Sequence, residues 1–402
     1  MKIGLIATGI WGSIHLEMAR ALQGRGHAIR IYTEDDRAPS GMRFTRFAED
    51  GIEFWVIHSV RRNPWTWLPD RLFKFWLGRR FFTSLLAIAR FVRANVDCDV
   101  FVVESDWLGF FVALATLGRP QLRWVVGVHD TDYLDAPIHY PGRPHSRWRT
   151  TVQRWTLRRA AALRANSHFT RDALVAGGCS PEKITVVPLH ATARMHPPAD
   201  RPLAEFRAAA RREWRKRCGI PETGLMLATL CRLTPVKRLE LAVDSLVELR
   251  RRGVDAWLVL FGGDRRLPGS GSYAAQLARR AADGGAAERL VVAGEVASDR
   301  VREALASADL HLAPSWADTF NFAVVEAALV GTPSLVSPNV GAAPWLGAAV
   351  RVVAGEDGIA WANAVSSAPT FGEDERRRIA DELSVASIAK RLEALYAGSN
   401  GA

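Results

Sequence analysis

Short apolar runs alternate along the chain with stretches of helical period, beginning at the first residues. Lys2 to Ala7 predicts a strand, Thr8 to Gly12 a glycine-bearing turn, Ser13 to Gln23 a helix and Ala28 to Tyr32 a second strand. A strand, turn, helix, strand unit of this kind opens a parallel sheet. Further strand-length apolar runs stand at Phe54 to Ile57, Val100 to Val103, Trp124 to Val128 and Ile184 to Val187, with helix-like segments between them. The alternation restarts at Leu225 to Leu230 and continues through Trp257 to Phe261, Leu290 to Ala293, Leu310 to Ala313 and Ser334 to Val336.

The economical reading is α/β, with two doubly wound units in succession. They are assigned to residues 1–195 and 196–372, with a polar, charged join between about His190 and Glu222 and a final helix at about Glu373 to Ala397 in the segment 373–402. The pattern leaves open which half that helix packs on. A length of 402 residues agrees with this division, because one hydrophobic core usually stops growing below that size. Disorder is expected only for Gly398 to Ala402.

Composition narrows the class. A hydrophobic fraction of 48% with mixed charge belongs to a globular protein. The longest apolar stretches, such as Gly109 to Gly118, fall short of the ~20 residues that span a bilayer. The opening MKIGLIATGIWG has no cleavage site after a longer apolar core, so it reads as a buried strand. Cys98, Cys179, Cys218 and Cys231 are scattered without CxxC or histidine spacing, which fits reduced thiols in the cytoplasm. The net charge of +11 implies an affinity for anions without choosing among nucleotide sugars, polyphosphates, nucleic acid and lipids. Its arginine-rich stretches, Arg147 to Arg159 and Arg207 to Arg217, read as solvated helix faces.

The strongest local signal is Ser315-Trp316-Ala317-Asp318-Thr319-Phe320-Asn321-Phe322-Ala323-Val324-Val325-Glu326-Ala327, followed by Gly331-Thr332-Pro333. It predicts a strand, a turn and a helix that starts near Phe320 and ends at Gly331. Amides at such a helix start suit a diphosphate or sugar hydroxyls. Asp318 ahead of them and Glu326 about two turns in would accept hydroxyl hydrogen bonds, one set from a hexose and one from a ribose. Spacing alone equally describes a helix-start acid and an ordinary surface glutamate. Arg232 and Lys237, on the loop leaving the strand Leu225 to Leu230, offer one bidentate and one point contact to phosphate oxygens, or are exposed loop charges.

Asp318 and Glu326, with seven residues between them, resemble the E-x7-E element of retaining glycosyltransferases of the family-4 type, which have the two-domain GT-B fold. Thr229 to Lys237 is similar to that family's segment with an arginine and, five residues on, a lysine. Phe261-Gly262-Gly263-Asp264 and Val292-Ala293-Gly294 match its glycine turns, and Pro338 to Gly341 occupies the place of its turn after the motif helix. The similarity runs from Met1 to about Gly347.

The resemblance implies two Rossmann-like domains facing across a cleft, the first binding acceptor and the second a nucleotide-sugar donor. It implies transfer of a hexose to a hydroxyl acceptor with retention, and a leaving diphosphate held by Arg232, Lys237 and helix amides. Gly9, Gly12, Gly262, Thr319, Phe320, Asn321, Phe322 and Glu326 are implied to line the donor site, with His129, at the end of Val125-Val126-Gly127-Val128-His129-Asp130, facing the reacting sugar. A histidine at a strand end also serves as a satisfied structural residue, and glycines occur in tight turns without a ligand. The chain departs from the family in Asp318 for glutamate, Asn321 for the usual glycine, a first turn with only Gly9 and Gly12, and Leu189-His190 where glycine often follows Pro188.

No cofactor or metal is expected. Asp130-Thr131-Asp132 spells a short metal-holding triplet, but the cationic pair makes a metal unnecessary. Trp65, Trp67 and Trp76 lie in a basic, aromatic stretch from Arg61 to Phe82 that reads either as acceptor selection at a membrane interface or as a partly buried helical hairpin with a basic rim. The acceptor is expected to be a cell-surface glycan, a glycolipid or another lipid-linked sugar, or a natural product; nucleic acid is not expected. The protein is expected to be cytoplasmic, open to peripheral contact at the inner face of the membrane.

Three other readings compete. A nucleotide-sugar epimerase of the same fold would turn over without acceptor. A nicotinamide-dependent oxidoreductase is suggested by the opening unit and Glu34, against which Gly9-Ile10-Trp11-Gly12 lacks the G-x-G-x-x-G spacing. A basic binding protein would not need the four charged positions at these spacings.

Overall fold

The computed structural model describes residues 1–34, 44–57, 67–72, 81–129, 147–264, 266–267 and 271–398. The chain divides into two compact units, Met1–His190 with Val385–Ala402, and Ala191–Ser384.

The first unit holds eight strands: β1 (Lys2–Thr8), β2 (Ala28–Glu34), β3 (Phe44–Glu49), β4 (Ile52–Ile57), β5 (Val100–Val103), β6 (Trp124–Val128), β7 (Ala162–Ala165) and β8 (Ile184–Val186). Their order is β3-β4-β2-β1-β5-β6-β7-β8, parallel except for the antiparallel edge pair of β3 with β4. β5 and β6 are buried along their whole length, as strands covered on both faces must be, hence their unbroken apolar runs. Successive strands build outward from β1 in one direction to β2 and in the other to β5. The loops after β1 and β5 therefore flank the point where strand order reverses, where ligands of doubly wound sheets bind.

The second unit begins its sheet with β9 (Leu225–Leu230) and β10 (Ala256–Phe261), adds a small antiparallel ribbon of β11 (Arg266–Leu267) and β12 (Gly271–Ser272), and continues with β13 (Leu290–Gly294), β14 (Leu310–Ala313), β15 (Ser334–Val336) and β16 (Val350–Val352). The six main strands are parallel in the order β13-β10-β9-β14-β15-β16. Here the reversal falls between β9 and β14. Trp361, fully buried, packs with Leu239, Leu246, Leu258 and Leu310 in the core beneath them.

Two expectations are corrected. The join before Glu222 holds the expected arginine-rich helix, Leu203–Cys218, with Phe206, Ala210 and Trp214 buried. Its arginines are not all solvated: Arg215 is 2% exposed, donating to the carbonyls of Pro221 and Gly224 and to Asp309, and Arg207 donates to Val330 O. The single terminal helix is two, Glu373–Glu382 in the second unit and Val385–Ala397 in the first. The latter buries Ile388, Leu392 and Tyr396 against the core that includes Leu16, Met18 and Leu22 of the helix Ile14–Gly24. Among the described residues no helix is long and apolar enough to cross a membrane.

Candidate active site

At the reversal point of the second sheet, β9 runs into a loop carrying Arg232, a 3-10 turn at Pro235–Lys237 and the helix Leu239–Arg251. Neighbouring strand ends hold this loop by backbone hydrogen bonds: Cys231 N donates to Phe261 O at 3.0 Å, Leu233 N to Gly263 O at 2.9 Å and Gly262 N to Gly294 O at 2.8 Å. Gly262 has φ of 134°, and a Cβ there would stand 1.7 Å from Cys231 O. Close backbone approach alone therefore demands glycine at 262.

The segment after β14 is pinned from both sides. Trp316 N donates to Val236 O at 2.8 Å, Asp318 N to Asn339 O at 3.0 Å and Gly341 N to Asp318 O at 2.9 Å. These bonds bring Lys237 and Asp318 together, and Lys237 Nζ donates to Asp318 Oδ2, with both side chains largely buried. Arg232 is exposed, and no carboxylate is paired with it among the described residues.

The motif helix begins two residues later than the pattern predicts, at Phe322, and runs to Leu329. Asn321 is its N-cap, with φ of 73° and its Oδ1 accepting from Val324 N at 3.4 Å. The left-handed backbone explains a glycine-type position, and asparagine is among the residues that tolerate it best. Thr319 and Phe320 form the turn before the cap, and Ala342 N donates to Phe320 O at 2.8 Å. Glu326 is half-buried; burial pushes its carboxyl up to about 7, opposed by the charge of Arg194.

In the first unit, Gly9 and Gly12 have φ of 59° and 70°, and an added Cβ at either meets no atom within 4 Å. Backbone conformation and not crowding requires glycine there. Gly9 N donates to Glu34 O at 3.3 Å, while Tyr32 Oη donates to Glu34 Oε1 at 3.0 Å, so Glu34 is engaged within the sheet end.

His129 follows β6, and its Nε2 lies 2.7 Å from Oε2 of Glu104, which follows β5. His15 Nδ1 is 3.8 Å from the same oxygen, and Arg164 Nη1, on β7, is 3.6 Å from Oε1. Burial by itself raises the Glu104 carboxyl; the hydrogen bond with His129 and the charges of His15 and Arg164 more than offset it and hold the group below the ordinary carboxylate range. Burial lowers His15 and pushes His190 down to about 4. His15, Glu104 and His129 bring three ligand-type atoms within 4.8 Å of one another, but Arg164 already balances the carboxylate and would repel a dication. The cluster reads as a hydrogen-bonded network.

Residues 9–190 match the family described as Glycosyl transferase 4-like domain, and residues 210–381 match Glycosyl transferases group 1. The chain belongs to the group 1 glycosyltransferases. It is 30% identical over 186 residues to the 2-deoxystreptamine glucosyltransferase of Streptomyces kanamyceticus, covering 46% of this chain and 44% of that protein. It is 25% identical over 386 residues to the D-inositol 3-phosphate glycosyltransferase of Stackebrandtia nassauensis, covering 92% and 80%. Among solved structures, sucrose-phosphate synthase from Thermosynechococcus elongatus superposes with a TM-score of 0.73 at 16% identity, covering 99% and 98% of the two chains. Anabaena HepE in complex with UDP and glucose superposes with a TM-score of 0.69 at 16% identity, covering 99% of each. The fold is GT-B.

Of the positions expected in this glycosyltransferase, the structure gathers Lys237, Asp318, Thr319, Phe320, Asn321 and Phe322 at one reversal point and places Gly9, Gly12 and His129 by the other. Trp65, Trp76 and Asp130-Thr131-Asp132 lie outside the described residues, and Trp67 is described only as the start of the helix Trp67–Leu72. That helix is tied to the next, Phe81–Ala94, through Asp70, which accepts from Phe82 N at 2.7 Å and from Thr83 Oγ1 at 2.5 Å. Sequence reasoning missed His15, Glu104 and Arg164. Glu104 carried a signal: a lone acid directly after the apolar run of β5.

Proposed function

We propose that this glycosyltransferase moves a hexose from a nucleoside-diphosphate sugar to a hydroxyl acceptor, with retention and without a metal. The observation that carries the reading is the assembly of Lys237, Asp318 and a capped helix start where the second sheet reverses, with Glu326 further along that helix. Lys237, with Arg232 on the same loop, supplies positive charge for the departing diphosphate. The start of the helix Phe322–Leu329 adds oriented amides. Asp318 and Glu326 accept hydroxyl hydrogen bonds from the hexose and the ribose, and Gly262 and its neighbours keep the loop in register. Gly9 and Gly12 let backbone approach the donor phosphate or the acceptor, and His129 addresses the reacting sugar.

The solved HepE complex holds UDP and glucose, which supports a uridine nucleotide as the first donor to test. The acceptor suggested by the relatives is a polyhydroxylated ring, since their names specify 2-deoxystreptamine and inositol phosphate. Trp65, Trp67 and Trp76 are proposed to select it, a role that liposome binding of the triple alanine variant would test for a lipid-linked case. The deciding experiment is a thermal-shift screen with UDP, GDP, ADP and dTDP and their sugars, with Glu326→Ala alongside. A tight ligand at ~100 times its dissociation constant adds about 2.7 kcal/mol. Stabilisation by one nucleotide that is lost in the variant is expected; no response to any of them overturns the reading. Turnover that depends on added cyclitol or sugar separates a transferase from an epimerase.

A further inference from the structure

Among the described residues, three that are not glycine have a left-handed backbone: Asp50, Arg238 and Asn321. Asp50 makes the tight turn from β3 to β4 with Gly51, and Asn321 caps the motif helix with its own side chain. Arg238 has neither reason. It directly follows Lys237 and precedes the helix Leu239–Arg251 with φ of 50° and ψ of 40°, and its side chain makes no cap hydrogen bond. Arginine is not among the residues that visit this conformation readily. Strain of this kind persists where the surroundings hold it, and it gathers at functional sites.

The holding is done by the side chain. The guanidinium carbon lies 5.2 Å from the ring centroid of Trp316, two residues before Asp318, and Nη1 donates to Glu356 Oε1 at 3.3 Å. Arg238, Trp316 and Glu356 stand on the loops after β9, β14 and β16, so one arginine spans three strand ends. Its side chain is 16% exposed and borders a pocket of about 130 Å3 that Ser315, Asn339 and Gly355 also line. The cost of the left-handed residue and the gain from one cation–π contact and one ion pair to an exposed glutamate are of the same order. Stability therefore does not account for an arginine here.

We propose that Arg238 is a positioning residue. By reaching across Trp316 it fixes the loop of Asp318 against the loop of Lys237, and so keeps that ion pair in place for the donor diphosphate. Its benefit to turnover rests on the donor reading given above, whereas its hold on Lys237 does not.

The test compares Arg238→Gly, Trp316→Leu and the double variant. Glycine adopts the left-handed backbone without strain, so Arg238→Gly should melt within about 2 °C of the wild type. Its kcat with UDP-glucose, or whichever nucleotide sugar the screen selects, should fall by about tenfold or more, as the pair is no longer held in place. KM for that donor should change less than about threefold, because Lys237 is still present to meet the diphosphate. The double variant should lose no more than the worse single variant, since the two side chains act as one device. The hold on Lys237 is read without substrate, from its rate of acetylation by an N-hydroxysuccinimide ester followed by mass spectrometry. Trp316→Leu leaves the chain neighbours of Lys237 unaltered and should raise that rate about threefold or more, with the exposed Lys390 of the other unit as the control. Wild-type kcat in Arg238→Gly, a loss that only tracks a fall in Tm, or additive losses in the double variant would overturn the positioning role. An unchanged rate at Lys237 would overturn its hold on the pair. Absence of turnover in the wild type with every nucleotide sugar would instead sink the transferase reading, leaving the acetylation rate to decide Arg238.

Discussion

Lys237 and Asp318, 81 residues apart in sequence, form a largely buried ion pair at the point where the second sheet reverses its strand order. The two charges neutralise each other, while Arg232 on the same loop stays exposed. On the proposed function, a diphosphate arriving there would compete with Asp318 for the same ammonium group.

That competition predicts opposite effects at the two positions. Lys237→Ala should weaken UDP binding by about tenfold or more, the loss of one charge-assisted contact. Asp318→Asn should leave UDP affinity equal or tighter, because Lys237 is released, while lowering kcat with the sugar donor. Calorimetric titration with UDP and initial rates distinguish the two. Weaker UDP binding in Asp318→Asn would show that the carboxylate organises Lys237 for the nucleotide and does not compete with it.

Glu326 predicts a pH dependence. Burial raises its carboxyl from 4.5 to about 7 in the folded chain, so the folded state binds the proton more tightly than the unfolded one. Its effect on stability is therefore absent below the unfolded value, becomes increasingly unfavourable as pH rises from about 4.5 to about 7, and levels off above. The Tm of the wild type should fall across that window relative to Glu326→Gln, by differential scanning calorimetry in matched buffers. If Glu326 accepts ribose hydroxyls as proposed, UDP affinity should rise over the same window in the wild type alone, as the carboxylate forms.

How far these residues were legible in the sequence depended on what kind of signal each carries. Most strands of both sheets announced themselves because parallel strands buried on both faces are continuously apolar, as β5 and β10 are. β3, β7 and β16 did not: each is short and interrupted by an arginine, and in β7 nothing local tells the buried Arg164 from a solvated one. The same ambiguity made Arg215 read as surface. Asp318 and Glu326 stood out by spacing, whereas Glu104 and His15 meet His129 only through strand order, which no local pattern contains.

Gly262 predicts a large stability effect without any ligand. At φ of 134° and 1.7 Å from Cys231 O, an added methyl forces the strand-end loops apart. Gly262→Ala should destabilise the second unit by about 2–4 kcal/mol, measured by urea unfolding. Gly12→Ala, where the added Cβ meets open space, should cost only the left-handed backbone, about 1–2 kcal/mol. Equal effects at the two positions would mean that crowding at Cys231 contributes nothing.

Asn321 supplies two things at once: a residue at φ of 73° and a side-chain acceptor for Val324 N. The two are separable. Asn321→Gly keeps the backbone conformation and gives up the cap, a loss of a few tenths of a kcal/mol. Asn321→Ala gives up both, about 2 kcal/mol in stability from the strained left-handed residue and the missing cap together. If the helix start binds the donor, UDP affinity should follow the same order, nearly unchanged in Asn321→Gly and clearly reduced in Asn321→Ala, because the amides are aimed by the backbone turn and not by the asparagine side chain. A reduction of equal size in both variants would instead place the amide group of Asn321 itself in contact with the donor.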